Sequence, residues 1–117
     1  MAKTRKLPPL RVWIAASMML LVAVAGNALA AGTEHTVGQK NKEFSAQELT
    51  IKPGDSIVFA NDDDVAHNVF CNDPDCKFNT KIQNPGTKST VTFEKEGTFN
   101  VRCAVHPKMK LTVTVKK

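Results

Sequence analysis

Thr98-Phe99-Asn100-Val101-Arg102-Cys103-Ala104-Val105-His106-Pro107-Lys108-Met109-Lys110-Leu111-Thr112-Val113-Thr114-Val115 closes the chain but for two lysines. Its first six residues alternate, with Phe99, Val101 and Cys103 on one face. Its last six alternate again, with Leu111, Val113 and Val115 inward. Period-two alternation is the mark of a strand with one buried face. Between the two strands lie a thiol, an imidazole and a thioether, Cys103, His106 and Met109. The stretch reads as two strands joined by a tight loop that hangs three potential metal ligands at one end of a β-domain.

The rest of the C-terminal part has the same texture. Glu34 to Gln39 alternates weakly and can open a sheet. Leu49-Thr50-Ile51 precedes the turn Lys52-Pro53-Gly54-Asp55. Ser56 to Ala60 is β-branched and aromatic, and Asn61-Asp62-Asp63-Asp64 bounds it. Val65 to Phe70 reads as another strand, Cys71 to Gly86 as loop, and Thr90 to Phe93 as strand. Short strands separated by turn signals predict an all-β sandwich or barrel. Repeats, low-complexity tracts and helical periodicity are missing from residues 31–117.

The N-terminus is of another kind. Lys3, Arg5, Lys6 and Arg11 form a basic segment, Val12 to Gly26 is almost wholly apolar, and Ala28-Leu29-Ala30 follows. This is the pattern of a secretory signal peptide, helical, spanning residues 1–30 and cut between Ala30 and Ala31. The apolar run falls short of the ~20 residues that span a bilayer, so no stable membrane span is expected after cleavage. Without a twin-arginine pair the general secretory route is expected, and without a Cys at the cleavage site no lipid anchor. The domain would then be residues 31–117, periplasmic or otherwise exported. Removing the leader's four basic residues from 16 Lys+Arg leaves 12 against 11 acidic residues, a net of +1. The high pI belongs to the leader, and nucleic-acid binding, which needs a basic stripe on the folded domain, is not expected.

The chain has three cysteines, an odd number for an exported domain. Cys71 and Cys76 flank the turn-forming Asn72-Asp73-Pro74-Asp75 and are the natural disulfide pair. That leaves Cys103 as a single thiol among His and Met. A second imidazole, His67, follows the acidic turn and can reach the same end of the sandwich. Two His, a Cys and a Met are the ligand set of a blue-copper site, trigonal with a weak axial thioether. A Cys₂His₂ zinc site using Cys71, with Met109 only in the core, is the competing reading. His35 lacks this context and is read as structural or exposed.

The chain resembles the cupredoxins, the small type 1 blue copper proteins, in particular the plastocyanin, pseudoazurin and amicyanin group. The likeness rests on Ile51 to Phe59, on His67-Asn68-Val69-Phe70, on Phe93 with Gly97-Thr98-Phe99, and on Cys103-x-x-His106-Pro107-x-Met109. It implies a Greek-key β-sandwich holding one copper ion, Cu(I) or Cu(II), on His67, Cys103, His106 and Met109. The short gap from His106 to Met109 looks most like the amicyanin loop. Departures are Val101 and Val105, where family members often carry an aromatic and a proline, and Ala104, which lacks a bracing hydroxyl. Asn68 is expected to tie the two ligand loops through backbone groups.

The function implied is that of an exported monomer carrying single electrons between redox proteins that dock near His106. Lys108, Lys110 and Asp62 to Asp64 would form a charged rim that steers the encounter. No enzyme is expected: no nucleophile elbow or Ser-His-Asp order occurs, and protein ligands fill the site. Two alternatives use the same residues. One is a periplasmic copper chaperone or buffer, the other a copper enzyme with an open position where Met109 does not bind.

Overall fold

The computed structural model describes residues 3–4 and 32–117. The expected leader and its cleavage site lie outside the described residues, Lys3 and Thr4 apart. Nine strands follow: β1 (Glu34–Lys40), β2 (Glu43–Phe44), β3 (Glu48–Ile51), β4 (Asp55–Asn61), β5 (His67–Cys71), β6 (Phe78–Gln83), β7 (Lys88–Phe93), β8 (Gly97–Arg102) and β9 (Lys110–Val115). They form a four-stranded sheet, β2-β1-β4-β7, facing a five-stranded sheet, β3-β9-β8-β5-β6. The chain passes repeatedly from one sheet to the other, giving the interlocked sandwich expected of a Greek key. Both sheets are mixed, because β1 runs parallel to β4 and β3 parallel to β9. Among the described residues no helix is long and apolar enough to cross a membrane.

Local chemistry explains the corners. Asn41 and Lys42 both take positive φ, 55° and 58°, and so close the two-residue β1–β2 hairpin whose twist matches its strands. Before β4, the Asp55 amide donates to the Lys52 carbonyl at 3.0 Å. Pro53 and Gly54 occupy the centre of that turn, and Gly54 supplies the φ of 90° that a side chain would resist. The alternation in β8 and β9 falls as expected: Phe99, Val101, Leu111, Val113 and Val115 are buried.

Between the sheets, Phe44, Phe59, Phe78, Phe93 and Phe99 form a chain of ring contacts with centroids 5.9–6.5 Å apart. Such offset and edge contacts add to the burial of the rings themselves. Beside them lies a polar layer. Gln39 donates to Gln83 at 2.7 Å, and Gln83 in turn donates to the Phe59 carbonyl and the Ser89 hydroxyl.

One strand departs from the sequence reading. Residues 78–83, within the expected loop, form β6, the edge of the five-stranded sheet. Its register with β5 shifts between Asn68 and Phe70, and Lys81 has a φ of 61°. Side chains replace ladder bonds there: the Val69 amide donates to the Thr80 hydroxyl at 3.0 Å, and Asn68 donates to the Asn79 side-chain oxygen at 2.7 Å. Phe78, Thr80 and Ile82 alternate with polar residues, but the phase reverses after Lys81, leaving Ile82 exposed and Gln83 buried.

Candidate metal centre

Two pieces of chain meet at one end of the sandwich. His67 opens β5, and the Cys103–Met109 loop joins β8 to β9. Because β5 pairs antiparallel with β8, through Phe70 and Arg102, the start of one strand lies beside the end of the other. Residues far apart in sequence thereby share a site. The His67 and His106 Nδ1 atoms are 3.1 Å apart, and His67 Nδ1 lies 3.8 Å from Cys103 Sγ. One ligand atom from each of His67, Cys103 and His106 falls within 4.8 Å of the others. A single ion bonded at about 2.0 Å to nitrogen and about 2.3 Å to sulfur can gather a cluster of that size.

His67 and Cys103 are fully buried, whereas His106 is partly exposed between Val105 and Pro107. Met109 is buried at the end of the same loop, and its amide donates to the His106 carbonyl at 2.9 Å, closing the turn.

The surrounding contacts hold these groups in one arrangement. The Asn68 amide points at Cys103 Sγ, 3.4 Å away, and the Asn68 side-chain oxygen faces the Ala104 amide, also at 3.4 Å. The tie between the ligand loops therefore uses the Asn68 side chain as well as its backbone. His67 Nε2 donates to the Asp63 carboxylate at 2.8 Å. That bond keeps the proton on Nε2 and turns the Nδ1 lone pair toward the centre, as a carboxylate behind a metal-binding imidazole does.

Asp63 is itself placed by its neighbours. The Lys42 amide donates to its carboxylate at 2.9 Å, and its own amide donates to the Asn61 side-chain oxygen. Buried Asn61 also donates to the carbonyls of Val65 and Gln83, folding the β4–β5 loop around the site. The Lys42 amide and then the His67 ring hold the Asp63 carboxyl well below the usual carboxylate range. Desolvation, followed by the nearby His67 and Lys42 charges, lowers the His106 pKa from its ordinary value. The first shift keeps Asp63 anionic and the second keeps His106 neutral, the form in which an imidazole binds a metal.

Sequence reading placed Asp63 on a charged rim and Asn61 in a plain turn. The structure turns Asp63 inward against His67, and leaves Asp62 and Asp64 exposed. Asn61-x-Asp63 just before a ligand histidine was the available signal, an Asx turn that aims a carboxylate back at the ring. His35 lies away from the centre, where it bonds the Asp55 carboxylate at 3.0 Å. Cys71 and Cys76 are buried free thiols, and neither belongs to the cluster of His67, Cys103 and His106.

A β-sandwich of two mixed sheets with a His-Cys-His cluster at one end, two of its members buried, defines a cupredoxin-type copper centre. Residues 31–116 match the family described as copper binding proteins, plastocyanin/azurin family, and the chain belongs to that family. Among solved structures it is similar to a purple cupredoxin from Nitrosopumilus maritimus, with 28% identity and a TM-score of 0.63 over 70% of this chain and 99% of that one. It is also similar to a copper-containing nitrite reductase from Thermus scotoductus SA-01, with 26% identity and a TM-score of 0.65 over 72% of this chain and 22% of that one. Amicyanin from Paracoccus versutus shares the fold at 23% identity, with a TM-score of 0.65 over 71% of this chain and 81% of that one. No curated protein matches the chain. The donor set fits the family's metal: a soft thiolate with two imidazoles suits a single copper ion.

Proposed function

We propose that the protein is an exported type 1 copper protein that carries single electrons between larger redox proteins. Copper, when bound, supplies the one-electron couple between Cu(II) and Cu(I). His67, Cys103 and His106 would hold it, with the Met109 thioether as a weaker fourth donor. The chain's own contribution is rigidity. Strand β5 carries His67, Cys103 directly follows β8, and Asp63, Asn68 and the closed His106–Met109 turn fix the remaining freedom. A site that moves little between oxidation states needs little reorganisation on electron transfer.

The observation that carries this reading is the difference in exposure among the donors. His67 and Cys103 are sealed from water, while His106 reaches the surface. Around it, Lys42, Val105, Pro107 and Lys108 line a mostly apolar depression. Val105, 47% exposed, adds apolar surface beside the ring. The His106 ring edge is the electron port, and the two lysines steer an acidic redox partner toward it. Residues 1–30 are the signal peptide that sends the domain, residues 31–117, across a membrane to a periplasmic or equivalent exported location. There it works as a monomer and catalyses no reaction of its own.

Cyclic voltammetry of the copper-loaded protein tests the proposal, with copper content measured before and after repeated cycles. The expected result is a reversible one-electron wave with copper retained. Loss of Cu(I) to a chelator during cycling would instead mark a copper chaperone. A wave and spectrum that shift on adding small anions would mark an open, enzyme-like site.

A further inference from the structure

The copper site leaves two cysteines unused. Cys71 ends β5, and Cys76 lies in the short connection to β6. That connection is folded by a turn in which the Cys76 amide donates to the Asp73 carbonyl at 2.9 Å. Pro74, in second place, presets the turn. An Asp73 carboxylate oxygen then accepts the Asn100 amide of β8 at 2.8 Å, fixing the loop against the sheet. Both residues belong to the same apolar core, at 1% and 7% exposure.

We propose that Cys71 and Cys76 are an oxidation site, joined into an intramolecular disulfide by a disulfide donor and separate from the copper chemistry of Cys103. The 73–76 turn folds the chain back between the two cysteines, and both enter one core cluster, so closure asks little of the backbone. Burial pushes both thiols up, which makes thiolates costly there. A disulfide, uncharged like the thiols, removes two weak donors from an apolar environment. The same burial sets the timing: exchange takes place while the 72–77 connection is still open to water, before the core seals. One thiolate attacks the donor's S–S bond and expels a donor thiolate, leaving a mixed disulfide. The second protein thiolate attacks the protein sulfur of that bond and expels the other half of the donor. Two protons leave the protein, two electrons pass to the donor, and the donor ends as two thiols.

Cys103 is kept out of this pairing by place. It sits at the other end of the β5–β8 contact, against His67 and the Asn68 amide. The bridge would pin the end of β5 farthest from His67 and the start of β6, whose Asn79 and Thr80 bond Asn68 and Val69.

The test is to refold the full chain with oxidised glutathione, load it with copper, unfold it with the metal chelated, and alkylate it with iodoacetamide. Peptide mass mapping then locates each label. The expected result is alkylation of Cys103 only, with Cys71 and Cys76 labelled after reductant is added. Labelling of all three cysteines without reductant would overturn the proposal. So would a linkage that includes Cys103, or a stable glutathione adduct on Cys71 or Cys76. A Cys103→Ser variant should take no label before reduction, and this readout does not depend on copper. Failure of the disulfide is therefore distinct from failure of the metal site.

Discussion

Truncation of Asp63 examines the chain of contacts behind the copper ligands. Asp63 touches no metal, yet it accepts from His67 Nε2 at 2.8 Å and from the Lys42 amide at 2.9 Å. His67 is fully buried, and among the described residues no other side chain bonds its Nε2. In Asp63→Ala the imidazole loses its reason to keep the proton on Nε2. The tautomer with hydrogen on Nδ1 becomes competitive, and that hydrogen must be displaced before a metal binds. A hydrogen bond to a charged group contributes about 1.5–3 kcal/mol, which at about 1.4 kcal/mol per tenfold corresponds to roughly 10–150-fold in a binding constant. Loss of such supporting partners typically costs about 10–100-fold in metal affinity. Chelator competition should therefore place the Asp63→Ala copper affinity about 10–100-fold below that of the wild type. Asp63→Asn, whose amide oxygen can still accept from Nε2, should fall between them. Proton resonances of the metal-free ring would report the tautomer directly. If Asp63→Ala binds copper as tightly as the wild type with His67 still protonated on Nε2, the carboxylate does not position the ring.

Further outcomes follow from other parts of the fold. Asp55 accepts from the amides of Lys52 and Thr33 and from His35, and the Lys52 bond, then His35, lowers its pKa from 3.8. A depressed carboxylate stabilises the fold above its unfolded pKa, and that contribution fades as pH falls through the folded value. Melting temperatures below about pH 4 should fall less steeply for Asp55→Asn than for the wild type. Phe59, fully buried at the centre of the aromatic chain, should cost about 3–5 kcal/mol on truncation to Ala, read by urea denaturation. Once the 71–76 bridge has formed, its reduction should lower stability by about 2 kcal/mol, the value for closing a loop of about six residues. Paired urea curves with and without reductant on Cys103→Ser would measure it.

The legible parts of the site were those that are local in sequence. Cys103, His106 and Met109 lie in one turn between two alternating strands, so spacing alone placed them at a sandwich end. His67 is 36 residues from Cys103, and its arrival depends on β5 pairing with β8. The residues showed only that this was possible, and the family resemblance supplied the rest. Asp63 looked like one of three equivalent surface charges, because nothing local says which carboxylate turns inward. That choice is made by Asn61, which bends the loop, and by the Lys42 amide, which arrives from a different hairpin. The parallel pairings of β1 with β4 and β3 with β9 were equally hidden, since alternation gives a strand its faces but not its neighbour. Strand β6 escaped because its largely exposed residues follow a shifted register and borrow side-chain hydroxyls and amides for their bonds.

The visible absorption spectrum of the copper-titrated protein, taken beside that of Cys103→Ser, is the most direct check on the metal centre. Thiolate bonded to Cu(II) should give an intense visible band that saturates at one copper per chain, and the band should vanish in the serine variant while the sandwich stays folded. A strong band that survives loss of the Cys103 sulfur, or a wild-type protein that takes up copper without colour, would contradict the assignment of Cys103 beside His67 and His106.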